Sequence, residues 1–149
     1  SRTILKGLRD GADTCMAESL RSALEEVGTL YGIEVRTEIS AQPASASDPA
    51  VYALRKIAEE AVINAAKHSG AATVDVTVTS LPGRLVATVQ DRGTGMHRSA
   101  SSGGVGHYGL TGMRERAAAI GGRVEIASRP GTGTTVTITA PLEGAVQHD

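Results

Sequence analysis

The chain has 149 residues, 15 of them lysine or arginine and 16 aspartate or glutamate, for a formal net charge of -1. That length suits a single ordinary domain with one core. The balanced charge excludes a whole-molecule field that would draw in nucleic acid or an anionic membrane surface, so any phosphate binding must be local.

Phenylalanine and tryptophan are absent and tyrosine occurs three times, so the core must be built from Ala, Val, Ile and Leu in close helix-on-sheet packing. From about Ala12 to Tyr31, Met16, Leu20, Ala23, Leu24, Val27 and Leu30 recur three or four apart, which predicts an amphipathic helix stopped by Gly32. Cys15, the one cysteine, reads as a small buried hydrophobe inside that helix and excludes an intrachain disulfide. Ile33 to Ile39 alternates apolar with polar and predicts a strand. Ser40 to Pro49 reads as a connector ending in Asp48 as N-cap and Pro49 at the first helical position. The helix so begun runs to about His68, where Ser69-Gly70 stops it.

Thr73 to Thr79 and Arg84 to Gln90 read as an antiparallel pair around a turn at Ser80-Leu81-Pro82-Gly83. Asp91 to Gly109 is a loop longer than the roughly 15 residues a compact domain tolerates without a function for it. Leu110 to Ile120 predicts a helix closed by Gly121-Gly122. Arg123 to Ser128 and Thr134 to Ala140 read as strands joined by Arg129 to Gly133, and Glu143 to Asp149 as a frayed tail. Blocks of helices and mostly antiparallel strands predict an α+β fold, a two-layer sandwich with about three helices on one sheet face, in a single domain spanning 1–149. No window approaches the ~18 apolar residues of a membrane span, and Ser1 to Lys6 lacks a signal peptide's apolar region. A cytoplasmic domain without direct membrane contact and without a nucleic-acid partner is expected, whether or not a longer chain is anchored elsewhere.

In the second helix, Leu54, Ala58, Ala61, Val62 and Ala65 form the apolar stripe that must face the sheet. Glu60, Asn64 and Lys67, at i, i+4 and i+7, project from nearly one line on the opposite face, with Lys56 on the same line. A solvated face with Glu-to-Lys pairs accounts for these charges. Mid-helix Asn64 adds a second reading, because an amide oxygen beside a carboxylate suits magnesium and a nearby lysine suits phosphate.

Asp91-Arg92-Gly93-Thr94-Gly95 ends the central strand with a carboxylate that could accept from an amino group such as adenine's, while its glycines let the backbone approach a flat ring. A tight turn is the plainer reading of the same five residues. Gly104 to Gly109 matches Gly-x-Gly-x-x-Gly, but no strand precedes it, so the dinucleotide fingerprint does not apply. What remains is a glycine-rich loop entering the helix at Leu110, where free N–H groups and the helix dipole suit phosphate oxygens.

Together these segments resemble the Bergerat-type ATP-binding fold shared by histidine kinases, gyrase B, Hsp90 and MutL. Glu60-Ala61-Val62-Ile63-Asn64-Ala65-Ala66-Lys67-His68 looks like the family's N box, and Asp91 to Gly95 like its first glycine box. Gly106 through Gly109-Leu110-Thr111-Gly112-Met113-Arg114-Glu115-Arg116 is similar to the second glycine box of the nitrate- and desaturase-sensor kinases. Gly131-Thr132-Gly133-Thr134-Thr135 is similar to the Gly-x-Gly-Thr turn into the last strand.

The resemblance implies ATP and Mg2+ as ligands. Asn64 would ligate magnesium, and Glu60 would be the polarising base or a carboxylate of the metal's shell. Lys67 and His68 would lie near the phosphates. Asp91 would accept from the adenine amino group, with Gly93, Gly95 and Thr134 framing the base. Met96 to Tyr108 would form a lid, hinged at Gly106, Gly109 and Leu110. It further implies a catalytic domain of a sensor histidine kinase, whose partners are a histidine-bearing dimerisation domain of its own longer chain, joined at Ser1 to Asp10, and a response regulator.

Two residues depart from the pattern: Arg92 stands where asparagine is common, and His107-Tyr108 is bulky for a lid. Neither His68 nor His107 has the acid-flanked helical setting of a phosphoacceptor. An anti-sigma serine kinase of the same superfamily and a non-catalytic nucleotide-binding module are the competing functions.

Overall fold

The computed structural model describes residues 15–40, 48–94 and 109–142. Expectations on 1–14, 41–47, 95–108 and 143–149, including the lid, the tail, and Gly95, Met96 and Gly106, lie outside these residues.

Helix α1 (Met16–Tyr31) buries Met16, Leu20, Leu24 and Gly28 at every fourth position. Gly28 must be glycine, since a Cβ there would lie 2.6 Å from Val35 Cγ2 and 2.7 Å from the Ile33 carbonyl oxygen. Gly32, at φ 78°, ends the helix in the left-handed region, its N–H bonded to the Gly28 carbonyl. Leu30, expected in the apolar stripe, lies about 200° around the helix from buried Gly28 and is 77% exposed. Cys15, expected inside the helix, is instead its exposed N-cap residue.

Strand β1 (Glu34–Ser40) follows, then helix α2 (Pro49–Asn64). Asp48 caps α2 through Oδ1, which accepts from the Ala50 N–H at 2.8 Å, and Pro49 occupies the first turn. Helix α2 buries Ala50, Val51, Ala53, Leu54, Ile57, Ala58, Ala61 and Val62, and continues directly into a π-helical turn, Ala65–Ser69, ended by Gly70 at φ 76°. Strands β2 (Thr73–Leu81) and β3 (Arg84–Asp91) form a hairpin in register to Leu81 opposite Arg84. The turn is therefore two residues, Pro82-Gly83, shorter than the four expected, with Gly83 supplying φ 76°. Helix α3 (Leu110–Ala118) and strands β4 (Arg123–Arg129) and β5 (Gly133–Pro141) complete the described chain.

The sheet order is β1-β2-β3-β5-β4, parallel between β1 and β2 and antiparallel elsewhere. The parallel pair requires a crossover, which α2 supplies. Alternation sends Val74, Val76, Val78, Leu85, Ala87, Val89, Val136, Ile138 and Ala140 to the helix side, where they form one contiguous core with α1, α2 and α3. The other face carries Thr77, Thr88, Thr137 and Glu125 side by side in register. The architecture is an α+β two-layer sandwich, with the described helices over a five-stranded mixed sheet.

Candidate functional site

The apolar stripe of α2 lies across the sheet near the end where β3 leaves and β5 enters. Between them opens a shallow cleft lined by Ala61, Asn64, Ala65, His68, Ser69, Val89, Asp91, Leu110, Thr134 and Val136. Sheet register builds its floor: Val89 stands opposite Val136 and Asp91 opposite Thr134. Alanines at 61 and 65 keep the helix side shallow. The result is an apolar slot with a few polar groups at one end, the lining chemistry of small-molecule sites.

Asp91 is 7% exposed and Thr134 9%. Asp91 Oδ1 accepts from the Gly93 N–H at 2.9 Å, and the Thr134 and Ser128 hydroxyls are 2.8 Å apart. The strand ends meet closely here because residue 133 is glycine. A Cβ on it would lie 2.2 Å from the Asp91 carbonyl oxygen.

Five residues singled out from the sequence therefore converge on this cleft: Asn64, His68, Asp91, Leu110 and Thr134. Gly93 stands behind it, holding Asp91. Glu60 and Gly109 line an adjoining open cleft between α2 and α3, with Lys56, Ile57, Glu59, Ile63, Gly112, Met113 and Arg116. Gly109, at φ 70°, rests against the Glu60 side chain, for a Cβ there would be 2.9 Å from Glu60 Oε2. Lys67 lines neither cleft. It is exposed, with Nζ 5.7 Å from the centre of the Tyr31 ring at the end of α1. The reason is the π turn: i→i+5 closure turns each residue through less than the usual ~100°, so the straight line from Glu60 through Asn64 no longer passes through residue 67. His68 lines the cleft beside Asn64 instead.

Ser69 is the site residue that the sequence reading missed, having been taken only as part of a helix stop. It is 5% exposed and lines the cleft. The signal available was its place two residues before Ala71, whose N–H its hydroxyl accepts at 3.0 Å, a Ser-type turn.

Arg92 donates to Asp75 Oδ2 at 3.2 Å, an exposed pair directed away from the cleft. Among the described residues no group of three or more His, Cys, Asp or Glu is gathered to hold a metal ion. A cation here would take few protein ligands, and the Asn64 amide, which lines the cleft, is of a type that fits one.

The profile of the family described as histidine kinase-, DNA gyrase B-, and HSP90-like ATPase matches residues 51–144, a span that contains the whole cleft. The chain belongs to this ATPase family. Among its similar family members is the sensor histidine kinase YdfH of Bacillus subtilis, 40% identical over 91 residues, covering 60% of this chain and 22% of that protein. The nitrate/nitrite sensor protein NarX of Escherichia coli is 34% identical over 121 residues, covering 81% and 20%. The oxygen sensor histidine kinase NreB of Staphylococcus carnosus is 34% identical over 133 residues, covering 87% and 37%. The chain thus spans well under half the length of these proteins. The histidine kinase domain of the blue-light activated kinase from Erythrobacter litoralis has the same fold, with a TM-score of 0.68 at 19% identity over 89% of this chain and 64% of that one.

Membership of the ATPase family implies ATP binding. Among the described residues no helix is long and apolar enough to cross a membrane.

Proposed function

We propose that the chain is the catalytic domain of a sensor histidine kinase, binding Mg-ATP and presenting its γ-phosphate to a histidine on a separate dimerisation domain, from which a response regulator would draw the phosphoryl group. The observation that carries this reading is the pairing of buried Asp91 and Thr134 at the end of an apolar slot whose opposite wall brings Asn64 and His68 from the α2 side.

In this reading the adenine ring lies on Val89 and Val136. Its amino group donates to Asp91, and Gly93, Gly95 and Thr134 frame it. Asn64 would offer one hard oxygen to a magnesium ion bound with the nucleotide, and that ion would supply neutralisation of phosphate charge. Glu60, one turn earlier on α2, is the carboxylate for either the outer magnesium shell or the proton that the acceptor imidazole releases. The nitrogen–phosphorus bond forms as the bond from the γ-phosphorus to the bridging oxygen breaks, and ADP keeps that electron pair. Positioning and charge neutralisation supply the rate, so the clefts on either side of Asn64 and Glu60 are the parts that matter. His68 lies toward the phosphates, and Gly109 and Leu110 stand at the hinge of the loop expected to act as a lid. Lys67 contributes only if it leaves the Tyr31 ring for a phosphate.

The sensor kinases among the relatives support this reading over a serine kinase acting on an anti-sigma partner. Titrating ATP with and without magnesium by calorimetry tests it. Binding in the micromolar range, strengthened by magnesium, is expected. No binding tighter than about 1 mM would overturn it.

A further inference from the structure

Among the described residues three polar side chains are classed as buried, Ser69, Asp91 and Thr134, and all three line the cleft. Asp91 and Thr134 have roles in the reading above. Ser69 has none, yet it touches both halves of the site.

Its hydroxyl donates to the Ala65 carbonyl oxygen at 2.7 Å and accepts from the Ala71 N–H at 3.0 Å. A serine hydroxyl has a single donor, so that donor is committed to closing the π turn that carries His68. The Ser69 carbonyl, held in place by this closure, accepts from the Thr94 N–H at 2.8 Å. A Cβ on Gly93 would lie 2.1 Å from that same carbonyl oxygen and 2.6 Å from Ser69 Cβ, so the Gly93-Thr94 segment rests directly on Ser69. The Gly93 N–H in turn donates to Asp91 Oδ1, which leaves Oδ2 as the carboxylate oxygen for a ligand. A continuous series of short contacts thus runs from the Ser69 hydroxyl to the orientation of the Asp91 carboxylate.

We infer that Ser69 is a positioning residue for base selection: through Gly93 it fixes the angle at which Asp91 meets the base, and so sets the preference for a 6-aminopurine over a purine lacking that group. The inference rests on the reading of the cleft as an adenine-nucleotide site. Ser69 itself acts at one remove from the base. Its hydroxyl serves the turn, and the turn serves Asp91. Asn64 and Glu60 lie outside this series of contacts, and any effect passed through His68, which the same turn carries, would fall on both nucleotides alike, so the role at the base is read from the preference between them. A loss of the hydroxyl should therefore lower the preference for the 6-aminopurine.

The test compares wild type with Ser69→Ala, which removes the hydroxyl, and with Gly93→Ala, which forces the two segments apart while keeping it. Each is titrated calorimetrically with Mg-ATP and with the magnesium complex of purine riboside triphosphate, which lacks the 6-amino group, and thermal unfolding is recorded alongside. Wild type should prefer ATP by about tenfold or more, the value of one hydrogen bond to a charged acceptor. In both variants ATP binding should weaken about tenfold and binding of the deaminated analogue change less than threefold, so that the preference collapses. Should Ser69→Ala not fold, Gly93→Ala gives the same comparison from the other side of the contact. An unchanged preference in the folded variants, or equal weakening of both nucleotides, would overturn the inference while leaving the site's reading intact. A wild-type chain that binds neither nucleotide would overturn both.

Discussion

Gly109 lies so close to Glu60 that an ideal Cβ on it would sit 2.9 Å from Oε2, 3.0 Å from Cγ and 3.1 Å from Cδ of that side chain. The first residue before α3 and the carboxylate of α2 are thereby in contact across the wall of the second cleft. Replacing Gly109 with alanine combines this overlap with a φ of 70°, a conformation that costs a residue with a Cβ about 1–2 kcal/mol. Gly109→Ala should lower the melting temperature by several degrees in calorimetry. Adding Glu60→Ala should return the part owed to overlap and leave the part owed to φ. A Gly109→Ala chain that melts with wild type would show that the contact carries no cost.

Asp91→Asn keeps an oxygen for the Gly93 N–H but removes the charge offered to the base. Hydrogen bonds to charged groups contribute about 1.5–3 kcal/mol, so ATP affinity should fall roughly ten- to hundredfold with little change in unfolding temperature. Calorimetric titration checks this, and a loss below threefold would remove Asp91 from adenine recognition.

Asn64→Ala takes the amide oxygen from the cleft. Binding of ATP in the presence of magnesium should weaken about tenfold, whereas binding in excess chelator should stay within threefold of wild type. Equal loss under both conditions would assign Asn64 to the nucleotide rather than to its cation.

Lys67→Ala gives up a contact with the Tyr31 ring that is worth about 0.5–1 kcal/mol at an exposed site. ATP affinity should remain within about threefold. A tenfold loss would mean that the ammonium leaves Tyr31 for the phosphates when nucleotide binds.

What was legible in the sequence was what local chemistry decides. Asp48 and Pro49 announce the start of α2, Gly32 the end of α1, and the alternation Val74, Val76, Val78 the buried face of β2; each rests on a rule spanning a few residues. Asp91 and Thr134 were legible as separate motif residues, and β3–β5 register brings them together. Leu30 fits the three- and four-residue spacing from Val27, but the buried line runs through Met16, Leu20, Leu24 and Gly28, and Leu30 stands about 200° around the helix from Gly28. The π turn at Ala65–Ser69 has no periodic signature. An α-helical line through Glu60 and Asn64 therefore points to Lys67 where the chain leaves that line, and Ser69, the expected helix stop together with Gly70, is also a buried joint between α2 and the end of β3.

The most direct measurement is phosphoryl transfer itself. The chain is mixed with the histidine-bearing helical domain of its own longer protein and ATP labelled at the γ-phosphate, and label is followed onto the acceptor. We expect label on the acceptor histidine, none on this chain alone, and transfer abolished by Asn64→Asp but retained by His107→Ala. Tight Mg-ATP binding with no label on the acceptor, or transfer that survives Asn64→Asp, would contradict the assignment of this domain as a histidine kinase working through Asn64.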